Sequence, residues 1–166
     1  MRRRNGQATI EFALTFGALI LPLTLGIIFT SQLLWVWHSV VEFTRIGAQY
    51  ASTHCASGGG ENVAAYMRQR VPVNVDQDQF AQGAATITVE YYQRNADTGQ
   101  MEPFACDGAE CSTECVPDAV TVRVTGYEFR RVLSNLGIPP VPLPDFRATL
   151  PMESAGCSPD STVCAQ

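Results

Sequence analysis

Lysine is absent from this chain, and all eleven basic residues are arginines. Without it there is no P-loop, because Gly58-Gly59-Gly60 is not followed by the lysine and hydroxyl residue that a phosphate cradle uses. Basic residues are also too few for a nucleic-acid footprint, since sixteen acids leave a formal charge of −5. Histidine is scarce. Of the two present, His38 sits near the membrane boundary and His54 is beside Cys55. Adjacent helical residues point about 100° apart, a poor geometry for a nucleophile and its base. The acids Glu102, Asp107, Glu110, Glu114 and Asp118 lack the one-three-five spacing of a calcium loop and read as a solvated face. There is no internal repeat. These absences leave no catalytic residue, resident metal or cofactor implied.

Charge is missing in a second sense. The apolar region from Phe12 to Trp37 carries no charged residue. It exceeds the 7–15 residues of a secretory signal core, and no small-x-small cleavage site closes it. It matches the roughly 20 residues that cross a bilayer. The 166 residues, 46% of them hydrophobic, thus suit one membrane helix and one soluble domain of about 110 residues, with a modest core. Arg2, Arg3 and Arg4 read as the cytoplasmic flank of that helix, which sends the C-terminus out of the cytoplasm.

The order of residues at the helix mouth is unusual. The basic stub ends in Asn5 and Gly6, and Gln7-Ala8-Thr9-Ile10-Glu11-Phe12 follows. An acid carried into a membrane costs roughly 2.5–3.5 kcal/mol near the bilayer centre, so Glu11 needs a partner. Cleavage after Gly6 would supply one: Gln7 becomes a charged amino terminus, and Glu11, now fifth in the chain, can pair with the amine of a neighbouring copy. Removing Met1–Gly6 also takes three arginines away and leaves eight against sixteen acids, a formal charge of −8.

Gly6–Phe12 resembles the Gly-x-x-x-x-Glu-Phe/Tyr processing site of type IV pilins. From Gly6 to about Ala51 the chain resembles the TadE-like minor pseudopilins of tight-adherence (Tad, type IVc) pili, through "GQATIEFALTF", "LPLTLGIIF" with Pro22, and "EFTRIGAQYAS". Looser agreement continues in "VTVRVTGYEF" and "FRATLPMES". The resemblance implies a structural subunit processed by prepilin peptidase between Gly6 and Gln7, with Glu11 and Phe12 serving assembly. It implies as partners a major pilin, other minor pseudopilins and the inner-membrane assembly platform. The location implied is the bacterial inner membrane, with the N-terminus cytoplasmic and the C-terminal domain periplasmic, and then the pilus or its base or tip.

Along the chain, residues 7–54 read as one long helix, with its membrane part at about 12–37, and residues 55–166 as an extracytoplasmic α+β domain. Pro22 removes a backbone bond and should kink or loosen the helix. Past the membrane, Phe29, Leu33, Val36, Val40, Phe43, Gly47 and Tyr50 form one apolar stripe, with Ser39, Glu42, Arg45, Gln49 and Ser52 on the wet side. Ser57 to Gly60 ends the helix, and a short one follows from Glu61 to Arg70, with Val63, Ala64, Tyr66 and Met67 inward. Three period-two segments, Ala85–Tyr91, Val120–Thr125 and Phe146–Met152, predict a mainly three-stranded antiparallel sheet covered by the long helix, with Pro151 marking an edge strand. A further short helix is expected over Glu128–Asn135.

All six cysteines, Cys55, Cys106, Cys111, Cys115, Cys157 and Cys164, lie beyond the membrane segment. Outside the cytoplasm they read as disulfides; zinc held by Cys106, Cys111 and Cys115 is the alternative. Short-range closure favours Cys157 with Cys164, and pairing within the acidic insert leaves one of its cysteines for Cys55. The competing function is an unprocessed single-pass envelope protein whose soluble domain binds a partner; a thiol-dependent enzyme would instead need a free cysteine of low pKa.

Overall fold

The computed structural model describes residues 7–106, 111–113, 115–130, 137, 139–153, 157 and 164. The chain divides into two compact units, Met1–Val36 and Trp37–Gln166. Gly6, half of the expected processing site, lies outside the described residues.

The first unit is helical: α1 (Gln7–Thr15), a π-helical turn (Phe16–Ile20) and the start of α2 (Leu21–Thr53). No residue of α1 or of the π turn is buried. The π turn is the local answer to Pro22. Proline has no N–H, and its ring collides with the carbonyl four residues back. Here the Leu21 N–H reaches Phe16 O, five residues back, which widens the backbone just ahead of the ring. The hydroxyls of this apolar helix also turn inward on the backbone. Thr15 donates to Glu11 O, Thr24 to Leu21 O, Thr30 to Gly26 O and Ser31 to Ile27 O. Each polar atom so paired needs no water.

In the second unit the remainder of α2 covers a sheet. Val40, Phe43, Thr44, Gly47, Ala48, Ala51 and Ser52 are all buried. Burial of each large apolar member contributes roughly 1.5–3 kcal/mol. The buried band is wider than the expected stripe and includes Ser52. Its hydroxyl is satisfied by Gln49 O, and its carbonyl accepts from the Glu153 N–H. From α2, Trp37 packs edge-on to Phe146 at 5.1 Å and Phe43 edge-on to Phe80 at 5.7 Å.

The sheet has four strands, β1 (Thr86–Arg94), β2 (Met101–Pro103), β3 (Ala119–Thr125) and β6 (Phe146–Pro151), in the order β2-β1-β3-β6 and antiparallel throughout. Val120, Val122 and Val124 of β3 are fully buried, and β6 forms the edge. The three expected strands are present. The fourth, β2, arises because Asn95 Oδ1 accepts from the N–H groups of Asp97 and Thr98 and turns β1 back on itself at Gly99.

Three further elements depart from the sequence expectation. The helix α4 (Gln77–Ala81) is capped by Asp76, whose side chain accepts from the Asp78 N–H. Glu128–Phe129, expected to open a helix, is instead β4, paired with β5 (Val141–Pro142). Gln79 decides this. It is 1% exposed, its carbonyl oxygen accepts from the Glu128 N–H, and its amide donates to Glu128 O and to Asp76. The remainder of the expected helix lies outside the described residues. Finally, α3 (Glu61–Arg68) buries Val63, Ala64 and Met67, while Tyr66 stays half-buried and stacks on Tyr50 at 3.7 Å.

The turn from α2 to α3 is tight because Gly60 has φ +96 and lies against β1. A Cβ there would sit 2.7 Å from Val89 Cβ, whereas one at Gly59 (φ +64) would meet nothing within 4 Å. Gly60→Ala should therefore cost about 2–4 kcal/mol, and Gly59→Ala only about 1–2 kcal/mol. Chemical denaturation of the two variants measures the difference, and equal losses would deny the close approach.

Candidate assembly helix and disulfide-tied site

Two features stand apart from ordinary packing. One is the bare apolar helix of the first unit. The other is the disulfide-tied end of the second.

The run beginning at Gln7 is long and apolar enough to cross a membrane, and its most apolar window is entirely unburied. Phe12 is 68% exposed and stacks on Phe16, 6.1 Å away. A helix that is apolar on all sides, yet uncovered by its own chain, must be covered by lipid or by other helices. Glu11 is exposed on this surface, and its carboxylate accepts from the Gln7 side-chain amide at 3.2 Å. That bond orients the acid one turn from the start of the described helix. An amide is neutral, so this bond brings no charge of its own to the acid. The structure thus brings Gln7 and Glu11 together through the side chain; the sequence reading had concerned only the backbone amine of Gln7.

In the second unit, Cys55 pairs with Cys111, Cys106 with Cys115 and Cys157 with Cys164. No cysteine is free. Every sulfur of the zinc alternative, and of the thiol alternative at Cys55, is therefore used in a covalent bond. The Cys55–Cys111 bridge is buried together with Cys164, and the Cys164 N–H donates to Cys111 O at 2.9 Å. Two disulfides consequently meet at the end of α2, a junction that cysteine spacing gives no means of finding. Cys111 has φ +64, an uncommon backbone for a residue with a side chain.

His54, beside Cys55, is held as part of the framework. Its ring stacks on Tyr50 at 3.8 Å, and its Nδ1 lies 2.9 Å from Tyr50 O. Tyr50 stacks in turn on Tyr66, over which the Arg70 guanidinium sits at 4.3 Å. A smaller cavity next to the bridges, of about 270 Å³, is lined by Val89, Tyr91, Phe104 and Cys106. Burial pushes the Tyr91 phenol up to about 12, and its hydroxyl has no partner among the described residues. On the opposite face of β1, Tyr92 is raised chiefly by its hydrogen bond to Glu90.

These features match a known family at one end only. A family model described as TadE-like protein matches residues 6–49. No curated protein and no solved structure matches the chain. The match runs from Gly6 through Glu11 and Pro22 to Gln49 near the end of α2, about a quarter of the chain, and over that segment the chain is similar to TadE-like proteins.

Proposed function

We propose that the chain is a minor pseudopilin, a structural subunit of a Tad pilus or a related apparatus, processed by prepilin peptidase after Gly6. Its TadE-like segment supports a Tad-pilus-associated subunit in the broad sense, and the one helix of membrane-crossing length and apolarity among the described residues is compatible with a single-pass membrane protein. The observation that carries the finer reading is the bare apolar helix with Glu11 near its beginning. Lipid alone would cover such a helix but would penalise the acid. A bundle of similar helices covers it and offers the acid an amine. Major pilin, other minor pseudopilins and the inner-membrane platform are the partners in this reading. The second unit then stands outside the cytoplasm, where its three disulfides form and persist. The role is structural, with no catalytic step.

Processing is tested by intact mass and N-terminal sequencing of protein extracted from membranes that contain an active prepilin peptidase. The wild type should begin at Gln7. Gly6→Leu should remain full length, because a branched side chain keeps the backbone from entering a peptidase site at the membrane face. Wild-type protein beginning at Met1 would replace this reading with that of a permanent anchor whose soluble domain binds a partner.

A further inference from the structure

Beside the edge strand β6 runs a groove of about 550 Å³, lined on one side by Arg45, Gln49 and Ser52 of α2 and on the other by Arg147–Pro151 and Glu153. Its floor and rim have an unusual chemistry. The Met152 N–H donates to Asp118 O, so in this antiparallel ladder the even-numbered residues of β6 bond to β3. The odd-numbered ones face the open edge. Glu153 is already used, since its N–H donates to Ser52 O. Pro151 has no N–H to offer. Arg147 and Thr149 therefore present their backbone N–H and C=O groups outward, a length of edge that accepts one short strand.

The charges select what that strand carries. Among the described residues, ion pairs hold Arg68 to Glu61, Arg123 to Glu90 and Arg130 to Glu128. Arg45, Arg70, Arg94 and Arg147 have no carboxylate partner among those residues; Arg70 lies over Tyr66 instead, and two of the four line this one groove. In addition, Arg147 stands directly across from Arg123 in the β3–β6 register. Like charges directly opposite destabilise a sheet, and Glu90 compensates Arg123 alone. A carboxylate on the far side of Arg147 would complete an alternation of acid, arginine, arginine and acid across the outer face. Arg45, on α2, reaches the same strand from above the inner face. With two arginines against the one carboxylate of Glu153 in its lining, this is a net basic, backbone-open spot on a chain whose net charge is negative.

We infer that this groove is a docking site for an extended acidic segment of a partner protein, which adds to β6 as a fifth strand and pairs its carboxylates with Arg147 and Arg45. The inference uses the second unit alone and stands whether or not the N-terminus is processed.

The full chain in detergent micelles is titrated into a fluorescein-labelled, end-blocked heptapeptide of three glutamates flanked on each side by two threonines, and anisotropy is read. Binding should weaken at least tenfold, equivalent to about 1.4 kcal/mol, in the double variant Arg45→Glu/Arg147→Glu. Arg94→Glu, which makes the same kind of charge change outside the groove, should leave it unchanged. Wild-type protein should bind at least tenfold more weakly a peptide N-methylated on all three glutamates, which keeps every charge but cannot pair as a strand. Equal binding of the N-methylated peptide would overturn strand addition in favour of simple charge attraction. An equal effect of Arg94→Glu would overturn the site, as would absence of binding at millimolar peptide. Far-UV circular dichroism matched to wild type confirms that the exposed-arginine variants are folded, and the N-methylated comparison needs no variant at all.

Discussion

Replacing Cys55 and Cys111 together by serine should lower the stability of the second unit by about 4 kcal/mol, by the chain-entropy relation for a bridge of this span. The bridge joins residues 56 apart, against 9 for Cys106–Cys115 and 7 for Cys157–Cys164. Under the same relation the two short bridges are each worth about 2.5 kcal/mol. The long bridge carries more than loop entropy. It fixes the insert to the end of α2, and the Cys157–Cys164 loop docks on it through the Cys164 N–H. Its removal thus also undermines the seat of a second bridge. A domain of this size should melt roughly 15–30 °C lower, a large part of the marginal stability such folds possess. Near-UV circular dichroism of oxidised wild type and of the double-serine variant, both as full chains in detergent, measures the shift. The Cys157→Ser/Cys164→Ser pair should lose clearly less. A larger loss from the short bridge than from the long one would reverse the proposed hierarchy.

The parts of this architecture that were legible in the sequence are those with a strong period or a fixed chemistry. Val120, Val122 and Val124 alternate with the polar Thr121, Arg123 and Thr125 because one face of β3 lies in the core beneath α2, so the strand appears as period two even though Thr121 is itself buried. The long helix shows itself by the absence of charge, and its end by three successive glycines, all of which have positive φ. What stayed hidden was decided by contacts between distant residues. Gln79 is polar and sits in a helix of five residues, yet it is buried because Glu128, 49 positions away, completes its hydrogen bonds. The same contact draws Glu128–Phe129 into a ladder and away from the helix its local pattern favours. Ser52 looks like a wet-face residue until Glu153 supplies a bond to its carbonyl. The π turn was foreshadowed by Pro22, but a proline alone does not say whether the helix bends, breaks or widens. At the candidate site, Glu11 and the cysteines stood out as chemically costly or reactive groups. The open edge of β6 did not, because it depends on which way each backbone amide faces, and that is a property of register.

Glu11→Ala should leave membrane insertion intact and reduce incorporation into the assembled apparatus tenfold or more. Insertion is protected because the substitution removes an acid from an apolar helix, a change that is favourable by up to roughly 2.5–3.5 kcal/mol near the bilayer centre. Folding of the second unit is protected because Glu11 belongs to the first unit, and its hydrogen bonds among the described residues are to Gln7 through the side chain and to Thr15 through the carbonyl. The cost falls on the step at which helices meet. When the proposed cleavage exposes the Gln7 amine, each subunit brings one cation and one anion to its helix mouth, four residues apart. In a bundle the amine of one copy and the carboxylate of another neutralise each other across the interface, whereas an unpaired charge in low dielectric is strongly penalised. Alanine leaves that amine unpaired, and glutamine at position 11 does the same while preserving side-chain size and hydrogen bonding. The two variants should therefore fail alike if charge pairing sets the register, while glutamine should be tolerated if only shape or hydrogen bonding matters. Quantitative immunoblotting of membrane and sheared-fibre or cross-linked fractions separates insertion from incorporation, and an alanine variant recovered in the assembled fraction at the wild-type level would refute the pairing.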